Sequence, residues 1–168
     1  MQNAKDTFYE MLRDRLVALN PGRTIVVRGV SRPGVLVEEN EFPTGFHMPD
    51  CFRLRWLQSL TDAYGAMPLM TLTCAIDYET PGTPANGGMD RGRLLAAMDG
   101  ELLGALNQWP HNTPKFNYTA LPNGGAAAAM TTSIWWAEPT FGPVEVKQDR
   151  LARTVTVAVM GYQEAGEL

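Results

Sequence analysis

His47, Asp50 and Cys51 lie close together in the sequence, with Cys74 and His111 further along, and thiolate and imidazole are the ligands that zinc prefers. A site drawn through His47, Cys51, Cys74 and His111 lacks the close Cys pair or close His pair of a structural zinc centre, so no metal is expected there. Cys74 also falls on the apolar parity of its segment, where a cysteine acts as a small hydrophobe. Nothing places Cys51 at a helix start or beside a third orienting group, so Cys–His nucleophilic catalysis is not expected either. The carboxylates of Glu38, Glu39 and Glu41 repel one another and seek water or cations. On an extended chain adjacent side chains point to opposite sides, and the ligand spacing of a calcium loop is missing. The expectation is a solvated acidic turn or a charged partner surface. Gly87-Gly88 before Met89 occupies the place of a phosphate cradle, yet neither a Lys-Ser/Thr pair nor a dinucleotide glycine spacing follows, and a mobile connector is expected. No catalytic, cofactor-binding or metal-ligating residue is assigned.

The elements that must hold these residues are clearer. Met70, Leu72, Cys74, Ile76 and Tyr78 share one parity, with Thr71, Thr73 and Asp77 on the other, the period of a strand with one apolar face. Leu94, Leu95, Met98, Leu102 and Leu106 recur at helical spacing within a helix from Asp90 to about Asn107 and would cover that face. Near the N-terminus Phe8, Met11, Leu12, Leu16 and Leu19 make a second helical stripe, with Asn3 or Thr7 as its cap and Asn20-Pro21-Gly22 as its end. Thr24 to Val30 reads as a strand turned by Ser31-Arg32-Pro33-Gly34, and Phe52 to Leu57 as a strand with Arg53 and Arg55 on one face. His111 to Met130 reads as a long loop excursion, the four alanines within it being one helical turn or a small-residue surface. Thr131 to Ala137 is a strand whose adjacent Trp135 and Trp136 cannot both face the core. Ala152 to Tyr162 is the last strand, and Gln163 to Leu168 is a polar tail expected to fray. The fold class is α+β: one domain over 1–168, with a mixed or antiparallel twisted sheet of about four to six strands, two main helices packed on it, and a loop excursion at about 110–130.

Composition sets outer limits. A chain of 168 residues with 45% hydrophobic content supports one core, and a net charge of −4 with both signs interspersed provides no basic field for nucleic acid or an anionic membrane. No apolar run approaches the ~20 residues of a membrane span. Two cysteines do not make a disulfide framework, and a soluble protein of a reducing cytoplasm is expected. Twelve prolines and sixteen glycines cut the chain into short elements with long loops, and such loops often contact partners.

At this order of elements, the run Arg32-Pro33-Gly34-Val35-Leu36-Val37-Glu38-Glu39-Asn40-Glu41-Phe42-Pro43 resembles the Arg-Pro, apolar, acidic cluster, Phe-Pro run of the tail terminator proteins of long-tailed bacteriophages, the lambda-type minor tail family. The chain departs from that pattern in its overall size and in the length of its His111–Met130 segment. The resemblance implies a structural virion protein without catalysis or cofactors. It would form a homo-oligomeric ring, commonly a hexamer, on the end of the tail tube, halting tube growth and offering a surface to a head or neck connector protein. It would be assembled in the host cytoplasm and reside in the virion tail, with no membrane and no sequence-specific nucleic acid as partner. Contacts with neighbouring subunits and with the tail tube protein are expected at Glu38, Glu39 and Glu41, at Pro81, Gly82, Gly87 and Gly88, at Gly124 and Gly125, and at Trp136. The alternatives are a head-to-tail connector or tail tube subunit and, more remotely, a small cytoplasmic ligand-binding domain or enzyme with Tyr78, Trp109 and His111 lining a cleft.

Overall fold

The computed structural model describes residues 1–41, 48–118 and 126–167, the side chains of Asn40 and Glu41 excepted. In chain order the elements are α1 (Gln2–Leu19), β1 (Thr24–Val27), β2 (Val30–Pro33), β3 (Val35–Val37), α2 (Glu38–Glu41), β4 (Phe52–Asp62) and β5 (Leu69–Thr80). A short 3-10 turn (Pro84–Asn86) leads to α3 (Arg91–Leu106), followed by β6 (Asn112–Asn117), β7 (Ala128–Trp136), β8 (Thr140–Phe141), β9 (Glu145–Lys147) and β10 (Arg150–Tyr162). The main sheet runs β3-β4-β5-β10-β7-β6, with β8 and β9 also paired to β10. Pairing is antiparallel except between β3 and β4, so the sheet is mixed and the fold is α+β. Two short strands on β10 bring the sheet to eight, beyond the four to six expected; Pro143 to Lys147 reads as a short extended segment and contains β9, whereas the two-residue β8 carries almost no sequence signal.

The sheet has one dry face. Met70, Leu72, Cys74, Ile76 and Tyr78 of β5 and Val155, Val157 and Val159 of β10 are buried, and the register pairs Leu72 with Val159, Cys74 with Val157 and Ile76 with Val155. Both long helices lie on this face: Ala4, Phe8, Leu12 and Leu16 of α1 and Leu95, Met98, Leu102, Ala105 and Leu106 of α3 join the same core. Phe8 holds the layers together, its ring meeting Trp56 of β4 and Trp136 of β7 edge-on at 6.0 Å each. The Trp136 indole N–H also donates to the Leu106 carbonyl at 2.9 Å, satisfying an acceptor at the end of α3.

Several expectations give way to longer-range contacts. Thr7 does not cap α1, which begins at Gln2. It is buried, and its hydroxyl oxygen accepts the Phe116 N–H at 3.0 Å. Leu19 is exposed and leaves the core stripe. The expected strand at Thr24 to Val30 folds back on itself at Arg28-Gly29, where two successive positive φ values (51° and 81°) suit a tight hairpin, and Ser31–Pro33 is strand instead of turn. The expected excursion is framed by strands, since Phe116 and Asn117 pair with Ala129 and Ala128, and Pro114 is tolerated because β6 is an edge strand. The alanines are therefore partly strand and form no helical turn.

The tail is tied down. Gln163 N–H donates to Pro68 O at 2.9 Å, and Glu164 accepts both the N–H (2.8 Å) and the hydroxyl (2.7 Å) of Thr132. The Lys115 ammonium of β6 donates to Tyr162 O and to the Glu167 carboxylate, each at 2.6 Å, with both charged side chains wholly shielded from solvent. A buried ion pair is costly to break from one side, because the survivor keeps its desolvation penalty. Lys115→Ala is expected to lower stability by about 3–5 kcal/mol, whereas the double replacement Lys115→Met with Glu167→Leu recovers most of that loss; urea unfolding followed by circular dichroism measures both.

Candidate functional site

Of the segments expected to make contacts, the loop between β5 and α3 is built most tightly. Asp90, just before α3, accepts the Thr83 N–H at 2.8 Å, the Thr83 hydroxyl at 2.7 Å and the Asn86 amide at 3.0 Å. Hydrogen bonds from Thr83 lead in holding its carboxyl well below the ordinary range, Asn86 adding to them. A Cβ on Gly82 (φ +80°) would come within 2.7 Å of Gly88 Cα, and one on Gly88 (φ +77°) within 2.8 Å of Pro81 O, so only glycine allows the two strands of the loop to touch. The Gly87 and Gly88 N–H groups donate to Pro84 O and Thr83 O within the loop. Arg91 fastens it to the turn before β10, donating to Gly88 O at 2.9 Å and Asp149 O at 2.7 Å. The expected mobile connector is a cinched, fixed projection.

The acidic segment forms the single helical turn α2, carried at the end of the buried strand β3. Glu38 lies 3.6 Å from Arg55 and Glu39 lies 3.6 Å from Lys5, while the Glu41 side chain is outside the described residues. The acidic character continues onto α1, where Asp6, Glu10 and Asp14 recur at four-residue spacing on its outer side. Burial raises the Asp6 carboxyl above its ordinary range; the Gln2 hydrogen bond and Lys5 oppose this, and the nearby Glu39 adds to it.

On the face of the sheet away from the helices, Arg53 and Arg55 do share a side, and both reach Asp77 across the β4–β5 pair, at 3.3 Å and 2.6 Å. The Thr154 hydroxyl donates to the same carboxylate at 2.6 Å. Burial pulls the Asp77 carboxyl upward, but hydrogen bonds from Arg55 and Thr154 outweigh it and leave it below the usual value. Beside this cluster a hollow of about 260 Å³ is lined by Met48, Cys51, Tyr78, Glu145 and Lys147 among others. Its acids have cationic partners: Asp77 the two arginines, Glu79 the Arg150 guanidinium at 2.5 Å, Glu145 the Lys147 ammonium at 3.3 Å. Such pairing leaves these carboxylates poorly placed to take a proton from a substrate. On the helix-covered face, the Tyr78 hydroxyl donates to Asp99 of α3, which Arg153 also meets at 2.6 Å, and burial together with Asp99 raises the Tyr78 phenol.

The remaining candidates do not converge. Cys74 sits in the core, and Cys51 is buried with its thiol donating to Met48 O at 3.2 Å. Burial raises the Cys51 thiol to about 11 and drives Cys74 higher, so both stay protonated near neutral pH. His111 stacks on Trp136 and lies 5.5 Å from the exposed Trp109 ring, whereas Tyr78 borders the hollow on the sheet, so the three do not line one cleft. His47, Gly124 and Gly125 lie outside the described residues, among which no three His, Cys, Asp or Glu side chains gather as a metal site. Trp136, expected at an interface, is 3% exposed and belongs to the core; its neighbour Trp135 points to the open face and packs on Tyr162. The Asp77 cluster was readable in part, because an Arg-x-Arg strand beside a strand with Asp on its polar parity invites this pairing. The Asp90 cinch carried no comparable signal.

The chain is thus an α+β layer with a paired, polar open face and one rigid loop. It matches no protein-family model and no curated protein.

Two outcomes test the loop. Gly82→Ala is expected to cost about 2 kcal/mol or more, from the left-handed backbone and the contact with Gly88, measured by chemical unfolding. Because the folded-state carboxyl of Asp90 is depressed, its contribution is complete above the unfolded value of about 3.9 and fades as pH falls toward the folded one. The stability gap between wild type and Asp90→Asn should therefore be present at neutral pH and shrink below about pH 4, as seen in unfolding curves across that range.

Proposed function

We propose that this chain is a structural subunit of a phage-type virion tail, a tail terminator that assembles as a ring, commonly six subunits, on the end of the tail tube. In that role it stops tube growth and offers its outer surface to a head or neck connector. One observation carries the assembly reading. β3 pairs only with Phe52–Leu54 of β4, so among the described residues the rest of β4, through Asp62, is an unpaired sheet edge. Leu57 and Leu60 on that edge and Tyr64 and Met67 in the following turn are exposed, Tyr64 completely. A long open edge with apolar side chains is a liability for a solitary protein and a natural seat for a neighbour.

Chemistry receives less support. Around the hollow beside Asp77 the acids are paired with cations, Asp77 with Arg55 and Glu79 with Arg150. No helix among the described residues is long and apolar enough to cross a membrane.

Native mass spectrometry of the purified chain is expected to give a closed oligomer. Electron microscopy of the chain mixed with tail tube subunits is expected to show rings on tube ends and shorter tubes. Long tubes built by this chain alone would make it a tube subunit instead. A monomer at high concentration that leaves tube growth unchanged would end the assembly reading.

A further inference from the structure

The β1–β2 hairpin stands apart from the main sheet, its strands paired only with each other. It is anchored at its base by Arg23, whose guanidinium meets Glu101 at 2.7 Å and Asp50 O at 2.9 Å. Beyond the base, Val26 on one face of the ribbon and Val30 on the other are 61% and 63% exposed. An isolated two-stranded ribbon is marginal in water, and exposed β-branched side chains along it gain most when another surface covers them. The ribbon is also purely basic. It holds Arg23, Arg28 and Arg32 and no acid, and among the described residues Arg28 at its tip has no hydrogen-bond or ion-pair partner.

A surface of opposite character lies on the outer side of α1. Asp6, Glu10 and Asp14, with Glu39 beside Asp6, place four carboxylates against the two cations Lys5 and Arg13. The half-buried Tyr118 lies next to Glu10 and Asp6 and supplies an apolar ring. The basic apolar ribbon and the acidic aromatic helix face are different patches of one chain. Two different patches that fit each other give head-to-tail contacts, which close into a ring when the rotation between copies closes, and not the self-matched contact of a two-fold dimer.

We infer that the β1–β2 ribbon of one copy docks on the α1 acidic face of the next, Arg28 meeting Glu10 in the middle of the acidic row and Val30, on one face of the ribbon, covering Tyr118. The inference rests on the ring reading proposed above and names the surfaces that join its subunits.

The full-length chain, wild type and variants, tests it by native mass spectrometry and light scattering. Arg28→Glu is expected to raise the ring's dissociation constant about tenfold or more while the circular dichroism spectrum stays unchanged. Adding Glu10→Arg to Arg28→Glu is expected to restore the ring, and about 0.5 M salt to weaken the wild-type ring. A wild-type ring that Arg28→Glu leaves at full strength overturns the ribbon contact and keeps the ring. Rings lost in Arg28→Glu but neither restored by Glu10→Arg nor weakened by Glu10→Arg alone would overturn the α1 face as the receiving surface. A wild-type chain that never forms rings would remove the reading beneath.

Discussion

Everything in this molecule follows from burying one parity of β5 and β10 under α1 and α3. The alternating residues of the two central strands, Met70 to Tyr78 and Val155 to Val159, supply a continuous apolar plane, and the helices have no other surface on which to lay their stripes. Phe8 keys the arrangement by meeting Trp56 and Trp136 at once, which fixes α1 against strands on both sides of the centre. Burial of side chains of this size stabilises by about 1.5–3 kcal/mol each, far more than any exposed ion pair on the opposite face. With one face committed to the helices, recognition is left to the other face, the sheet edges and the loops.

That division explains what the sequence made legible. The parity of β5 and the stripe of α3 are local patterns repeated several times, so both could be read directly, as could the shared face of Arg53 and Arg55. Lys115 could not. A lysine flanked by Pro114 and Phe116 reads as solvated, and only the return of Glu167 from the far end of the chain allows it to be enclosed. Thr7 is a similar case, since its suitability as a cap is local while the Phe116 N–H it receives comes from β6. For the tryptophan pair, the sequence required that the two separate, but which one turned inward depended on the pairing of Trp136 with Val159, a matter of register and not of composition.

The candidate contact segments divide in the same way. Acid density at Glu38 to Glu41 and glycine density at Pro81 to Gly88 were visible, but their physical state was not. A loop rich in proline and glycine suggests motion when its hydrogen bonds are unknown; here Asp90 gathers three donors and the glycines permit contact instead of freedom. A loop fixed in this way has little conformational entropy left to lose. The paired charges around Asp77 act in the same direction, giving a polar surface with settled geometry.

The irregularity between Trp56 and Gln58 has a consequence for the free molecule. Cross-β stacking favours flat, straight ribbons, and the extra residue bends and twists this edge away from that geometry. Asp62 at the strand's end adds a charge that stacked copies would bring face to face. The open rim of β4 is therefore bent and charged in ways that oppose stacking of identical edges.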